Sequence, residues 1–168
     1  MSFRFFSFLK FWITSSNQHG VHSPFIYHYV TKCLYAAPNF KMSKSHNILI
    51  KTIAYFKLTK VELIPGDIAL EKEITKNLKG ITIEQQAGQL IYIGILNNDA
   101  TKKYIVENND ISNDTIIYID DIYKSRETHN LWENIKELEQ VKATIDLFYG
   151  GLVFFRREQE KEHFKIRI

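Results

Sequence analysis

The sharpest division between apolar and polar positions falls at residues 115–125, TIIYIDDIYKS. Four consecutive apolar side chains (Ile116, Ile117, Tyr118, Ile119) lead into two adjacent carboxylates, Asp120 and Asp121, and then into a helical pattern. An uninterrupted, β-branched run of this kind predicts a strand buried on both faces of a parallel sheet. Open α/β sheets bind ligands beyond the carboxyl ends of such strands. Asp120 and Asp121 therefore stand where a cofactor or metal would be met. The competing assignment is that the pair caps the next helix and offsets its dipole.

The rest of the pattern predicts elements on either side of this strand. Residues 2–13, SFRFFSFLKFWI, predict a short helix dense in Phe, with only Arg4 and Lys10 charged. Ser23 followed by Pro24 predicts a helix start, and the stripe Phe25/Ile26, Tyr29/Val30, Cys33/Leu34 carries that helix to about Tyr35. Residues 38–40 read as a loop. A helix over 43–56 turns Leu49, Ile53 and Phe56 inward. Strand 60–64 (KVELI) is turned by Pro65-Gly66-Asp67, and Asp67 caps a helix over 68–78 with Leu70, Ile74 and Leu78 inside. Strand 81–84 (ITIE), strand 90–96 (LIYIGIL) and a short helix over 99–107 follow.

Beyond the central strand, a helix over 126–138 turns Leu131, Trp132, Ile135 and Leu138 inward. Strands 143–148 and 152–156, joined by Tyr149-Gly150-Gly151, predict an antiparallel hairpin. The closing HFKIRI reads as a final edge strand. These elements divide into a helical extension, 1–58, and an α/β domain, 59–168. Strand, glycine turn, helix and a strand ending in Glu84 outline a nucleotide-binding βαβ unit. Gly66 is the single glycine in that turn, where a full fingerprint has several.

Charge changes the picture of the extension. Residues 1–60 hold eight Lys/Arg and no Asp or Glu, whereas 61–168 hold 14 basic and all 19 acidic residues, so the halves carry +8 and −5. Thirteen of the 23 aromatic residues also lie in the first 60. A basic, aromatic-rich segment beside an acidic domain points to an anionic partner: a lipid surface, an acidic protein surface or nucleic acid. Residues 2–13 fit a short interfacial helix on a membrane, or a helix packed on its own domain or on a second copy. Nucleic acid is the less favoured partner. A cytoplasmic protein is the expected setting, with peripheral attachment to the inner membrane as the alternative to a free one.

Among chemistry-bearing side chains, the single cysteine, Cys33, excludes a disulfide framework and a thiolate zinc site, and its neighbours make it a buried thiol. His19 and His22 lack nearby carboxylates or thiolates, so hydrogen-bonding or capping roles are expected and no metal site is assigned. Asp146, inside a strand, is expected to pair with a basic neighbour. Tyr118 and Trp132 read as core.

Several of these stretches together resemble a family. Residues 18–25 (QHGVHSPF), 119–125 (IDDIYKS) with Trp132, and 144–155 (TIDLFYGGLVFF) with the closing HFKIRI are similar to small class I S-adenosylmethionine-dependent methyltransferase-like proteins of Bacteroidetes. The similarity covers the first 35 and roughly the last 55 residues. It implies a Rossmann-like sheet with a helical N-terminal extension and a C-terminal antiparallel hairpin. It also implies S-adenosylmethionine as the cofactor if the chain is active. By position, Glu62, Gly66 and Glu84 would then be cofactor-binding, with Asp120 and Asp121 catalytic, as general base or metal-holding groups.

The middle departs from the family. Its cofactor turn, E-x-G-x-x-x-G, here reads Glu62-Leu63-Ile64-Pro65-Gly66-Asp67, so branched Ile64 stands where a glycine would let the cofactor approach. Gly94 stands where the family's Y-I-D-G aspartate would complete a cation site with the carboxylate pair. Five residues, 85–89, join strands ITIE and LIYIGIL, where a parallel crossover takes about ten to twelve. They predict an antiparallel pairing, or no strand at all for ITIE, with Glu84 displaced from the cofactor. The expectation is a reduced Rossmann-like domain with a degenerate cofactor site and a binding or scaffolding role. The alternatives are a working small-molecule O-methyltransferase with a pared-down pocket, and a membrane- or nucleic-acid-binding module.

Overall fold

The computed structural model describes residues 3–36 and 39–168. Of the expected loop 38–40, Pro38 lies outside the described residues. Helix α1 (Phe3–Thr14) is followed by a single 3-10 turn (Gln18–Gly20) and by α2 (Pro24–Tyr29), which continues as a π-helical turn (Val30–Leu34). Then come α3 (Lys44–Phe56), β1 (Lys60–Ile64), α4 (Ile68–Asn77), β2 (Thr82–Glu84) and β3 (Leu90–Ile93). Helix α5 (Asn98–Thr101) runs on as a π turn (Lys102–Val106) into β4 (Ile116–Asp120) and α6 (Arg126–Glu137). Strands β5 (Ala143–Asp146), β6 (Gly150–Phe154) and β7 (Glu162–Lys165) close the chain.

Short polar side chains set the helix starts, because the first N–H groups of a helix have no partner within it. Ser23 Oγ accepts from Ile26 N, Ser43 Oγ from His46 N, and Asp67 Oδ1 from both Ala69 N and Leu70 N. Helix α6 is capped by Ser125, whose Oγ accepts from Thr128 N at 3.0 Å. The cap is not the Asp120–Asp121 pair.

Seven strands form one mixed sheet in the order β2-β1-β3-β4-β6-β5-β7. Only β6 is antiparallel to its neighbours. The architecture is α/β, compatible with a Rossmann-like fold. Strand β4 is buried along Ile116–Ile119, as its apolar run requires, and its side chains alternate between two cores. Ile116 and Tyr118 face the core built with α2, α3 and α4. Ile117 and Ile119 face the core that contains Trp132 and Ile135 of α6, Ala100 of α5 and Phe11 of α1. The first 58 residues therefore supply most of one covering layer, with Ile26, Tyr29, Leu49 and Ile53 fully buried in it.

The expectation for β2 and β3 is corrected. They do not pair with each other; they flank β1 on opposite sides, both parallel to it. Glu84 is level with Glu62 and Leu90 with Val61, so the connector moves back only about one residue along the strand direction. It must cross two strand spacings, about 10 Å, and the six steps from Glu84 to Leu90 reach about 20 Å when extended. A crossover needs a helix only when it must return the full length of a strand; β2 is three residues long, so no return is needed. Gln89 pins the crossing: its N–H donates to Lys60 O, and its Oε1 accepts from Thr59 N and Lys60 N. Gly88 passes so close to β1 that an added Cβ would lie 2.9 Å from Glu62 Cβ and 2.8 Å from Leu90 O.

Candidate functional site

In the order β2-β1-β3 the chain turns to one side after β1 and to the other after β2, which makes the carboxyl ends of β1 and β3 the topological switch point of the sheet. An open cleft of about 420 Å³ lies there. Glu62, Gly66 and Glu84 all line it, with Asp67, Glu71 and Tyr104. The structure thus brings the three expected cofactor residues together, against the expectation that Glu84 is displaced. The cleft is strongly acidic: four carboxylates line it, and no lysine or arginine does.

Glu62 is 5% exposed and has no ion-pair partner among the described residues. Burial pushes its carboxyl above the usual carboxylate range, and a bond from the Gly88 backbone opposes the shift only in part. Its side chain also reaches an adjoining cleft of about 340 Å³ lined by Lys103, Asn108 and Asp110. Glu84 accepts from Thr82 Oγ1 at 2.8 Å. A Cβ added at Gly66 would meet nothing within 4 Å, so local packing makes no demand for glycine there.

Asp120 and Asp121 line neither cleft. Adjacent residues at a strand end project to opposite faces, and this pair diverges accordingly. Asp120 reaches toward α3, where one oxygen accepts from Ser45 Oγ and the other from Tyr92 OH at 2.9 Å. Ser45 Oγ also lies 2.9 Å from Tyr118 OH, and the Tyr92 and Tyr118 rings stack at 6.0 Å. Burial, and then the Asp120 charge, push the Tyr92 phenol well above its ordinary range. Asp121 has φ +40, a left-handed conformation that Asp tolerates better than most side chains. It forms an ion pair with Arg4 of α1, and the same guanidinium lies 5.4 Å from the Phe148 ring centre.

The two carboxylates thus belong to two separate networks, and they do not converge on one ion as the resemblance implies. No group of three His, Cys, Asp or Glu side chains capable of holding a metal occurs among the described residues. The residues present differ from the S-adenosylmethionine site that the resemblance implies. Ile64, at the position of a family glycine, and Pro65 line the cleft, and the acid pair lies outside it, engaged by this chain's own side chains.

Other expectations resolve as follows. Asn17 caps the 3-10 turn that carries His19, accepting from His19 N at 3.0 Å. Cys33 is buried, and that burial pushes its thiol up to about 12, which leaves it inert as a nucleophile. Among the described residues, Asp146 does not pair with a basic side chain. It accepts from Tyr123 OH at 2.6 Å and Phe148 N at 2.9 Å, and burial raises its carboxyl above the ordinary range.

Sequence reasoning missed Arg4, Ser45 and Tyr92 as partners of the acid pair, and Lys51. The Lys51 ammonium is buried and donates to Leu34 O at 2.8 Å and Ala36 O at 2.5 Å, the free carbonyls at the end of the α2 segment. The available signal for Lys51 was a lone cation on the buried side of α3. No local signal marks Arg4 or Ser45, and Tyr92 stands out only as the tyrosine of the Y-I-D-G pattern.

No family model, no curated protein and no solved structure matches the chain.

Proposed function

We propose that this chain is a reduced, methyltransferase-like domain with a degenerate S-adenosylmethionine site, acting by binding or scaffolding. The observation that carries the reading is the engagement of both carboxylates at the end of β4 by internal partners on opposite faces of the sheet. A catalytic pair would converge on the cleft, and one further acid would complete a cation site; here Gly94 takes that position. The strand pairing supports the family side of the reading. Strands β5 and β6 pair antiparallel, the C-terminal hairpin that the resemblance implies. The short β2–β3 crossover stands where the resemblance implies a helix, a further strand and a second helix.

One observation favours the alternative of a working O-methyltransferase: Glu62, Gly66 and Glu84 do share a cleft. Calorimetric titration with S-adenosylmethionine and S-adenosylhomocysteine decides between the two. The expected result is no saturable heat up to millimolar ligand. Micromolar binding that is weakened by Glu62→Gln and Glu84→Gln would replace the scaffolding reading with the enzymatic one.

A further inference from the structure

We propose that α1 docks the protein flat on a bilayer surface rich in anionic phospholipid. The inference is independent of the methyltransferase-like reading, because it rests on a different part of the molecule. The helix is apolar on its solvent face as well as its inner one. An amphipathic helix on a globular domain buries its apolar stripe and shows polar residues to water. In α1 a single side chain, Phe11, is buried, and the inward positions include Arg4, held by Asp121. Phe5, Leu9 and Trp12 recur at i, i+4 and i+7, with Phe6 and Ile13 beside them, and all five are exposed. Trp12 is 56% exposed and Ile13 76%. A contiguous apolar face of this kind, rimmed by charge, marks an interaction surface.

The rim states what the partner is. Lys10, Arg126 and Lys165 line a pocket of about 370 Å³ along the edge of α1, together with Phe6, Tyr123 and His129. Arg167 lies over the Trp12 ring at 5.4 Å. None of these four cations takes part in an ion pair among the described residues. In the same pocket, His129 Nδ1 is buried without a hydrogen-bond partner. Four unpaired cations around an apolar ridge complement a negative surface with an apolar interior.

Two other occupants fit less well. Nucleic acid stacks on aromatic faces beside cations, but Leu9 and Ile13, both exposed on this face, cannot stack. A second copy docking symmetrically would bring the same cations against each other. At 12 residues the helix is about 18 Å long, too short to span a bilayer and suited to lying in its interface.

The test uses the full chain and vesicles of phosphatidylcholine with or without one quarter phosphatidylglycerol. Trp132 is fully buried, so a change in tryptophan emission reports Trp12. The expected result is co-sedimentation with the anionic vesicles, a blue shift in emission, and at least about tenfold weaker partitioning onto pure phosphatidylcholine. Leu9→Ser with Ile13→Ser should abolish partitioning with the thermal midpoint unchanged, both side chains being exposed. Lys10→Gln with Lys165→Gln should weaken it about tenfold. Three results would overturn the proposal: no partitioning of the parent protein, equal partitioning onto both vesicle types, or a concentration-dependent dimer that shifts Trp12 emission without lipid.

Discussion

Arg4 and Asp121 are 117 positions apart in the chain, and their side chains form an ion pair at the carboxyl end of the central strand. The pair joins a helix with a mostly apolar outer face to the acid that the family pattern would assign to chemistry. It also explains how Phe148 is used. That residue adopts φ +66, a costly conformation for an aromatic side chain. From there its ring packs against Phe8, Phe11 and Tyr123 at 5.1, 5.5 and 4.8 Å, beneath Arg4. Phe148 is the seat of α1, and Arg4–Asp121 is its latch.

The latch predicts a local effect. Both side chains are partly exposed, at 42% and 32%, so Arg4→Gln should cost no more than about 1 kcal/mol of global stability. Amide exchange over residues 3–14 should accelerate several-fold, and the rest of the sheet should keep its protection. High salt should reproduce part of the effect in the parent protein, because exposed pairs are screened. Unchanged exchange in α1 would show that the aromatic seat alone holds the helix.

Around Asp120 the prediction is one of coupling. Tyr92 and Ser45 both donate to the same carboxylate, and each bond to a charged acceptor contributes about 1.5–3 kcal/mol. Tyr92→Phe should therefore destabilise the parent by about that amount, and by much less in an Asp120→Ala background. Urea unfolding of the four proteins in this cycle measures the difference. An additive cycle would mean that the tyrosine hydroxyl stabilises by some other contact.

Local chemistry was legible in the sequence, and lateral relationships were not. Ser23, Asp67 and the apolar run of β4 each act within a few residues of themselves, so composition and spacing located their elements. Strand β2 was misplaced because a connector length was weighed without its register. Five residues are too few to return along a long strand, yet ample to step across β1 from a three-residue one. The acid pair was located correctly at the strand end. Its disengagement was invisible because Arg4, Ser45 and Tyr92 come from three distant elements, and the Y-I-D-G pattern that contains Tyr92 says nothing of a bond to Asp120.

The glycines at that crossing separate packing from ligand approach. A Cβ at Gly88 would press on Leu90 O, Glu62 Cβ and Glu62 N, all within 2.9 Å. Backbone atoms cannot give way as a flexible side chain can, so Gly88→Ala should cost about 1–3 kcal/mol. Its damage should centre on β2 and the Glu62 cleft. Gly66→Ala has open space within 4 Å and should leave the thermal midpoint within about 1 °C of the parent. A large loss for Gly66→Ala, or none for Gly88→Ala, would contradict the described path of the chain.

The buried acid Asp146 predicts a pH dependence with a definite sign. Burial lifts its carboxyl above the ordinary value of 3.8, so above that pH the folded protein keeps a proton that the unfolded chain has released. Folding then takes up a proton. The corresponding stability is fully present below pH 3.8 and is lost as pH rises through the folded value. Asp146→Asn removes the ionisation and can keep both contacts: the amide oxygen accepts from Phe148 N–H, and the amide nitrogen donates to the Tyr123 oxygen. The variant should be at least as stable as the parent at neutral pH, and its advantage should shrink on acidification toward 3.8. Glu62 has a carboxyl raised in the same direction, so the readout is the difference between the two stability profiles, in which Glu62 cancels. Urea unfolding at a series of pH values measures it. A difference that does not vary with pH would show that Asp146 ionises alike in the folded and unfolded chain.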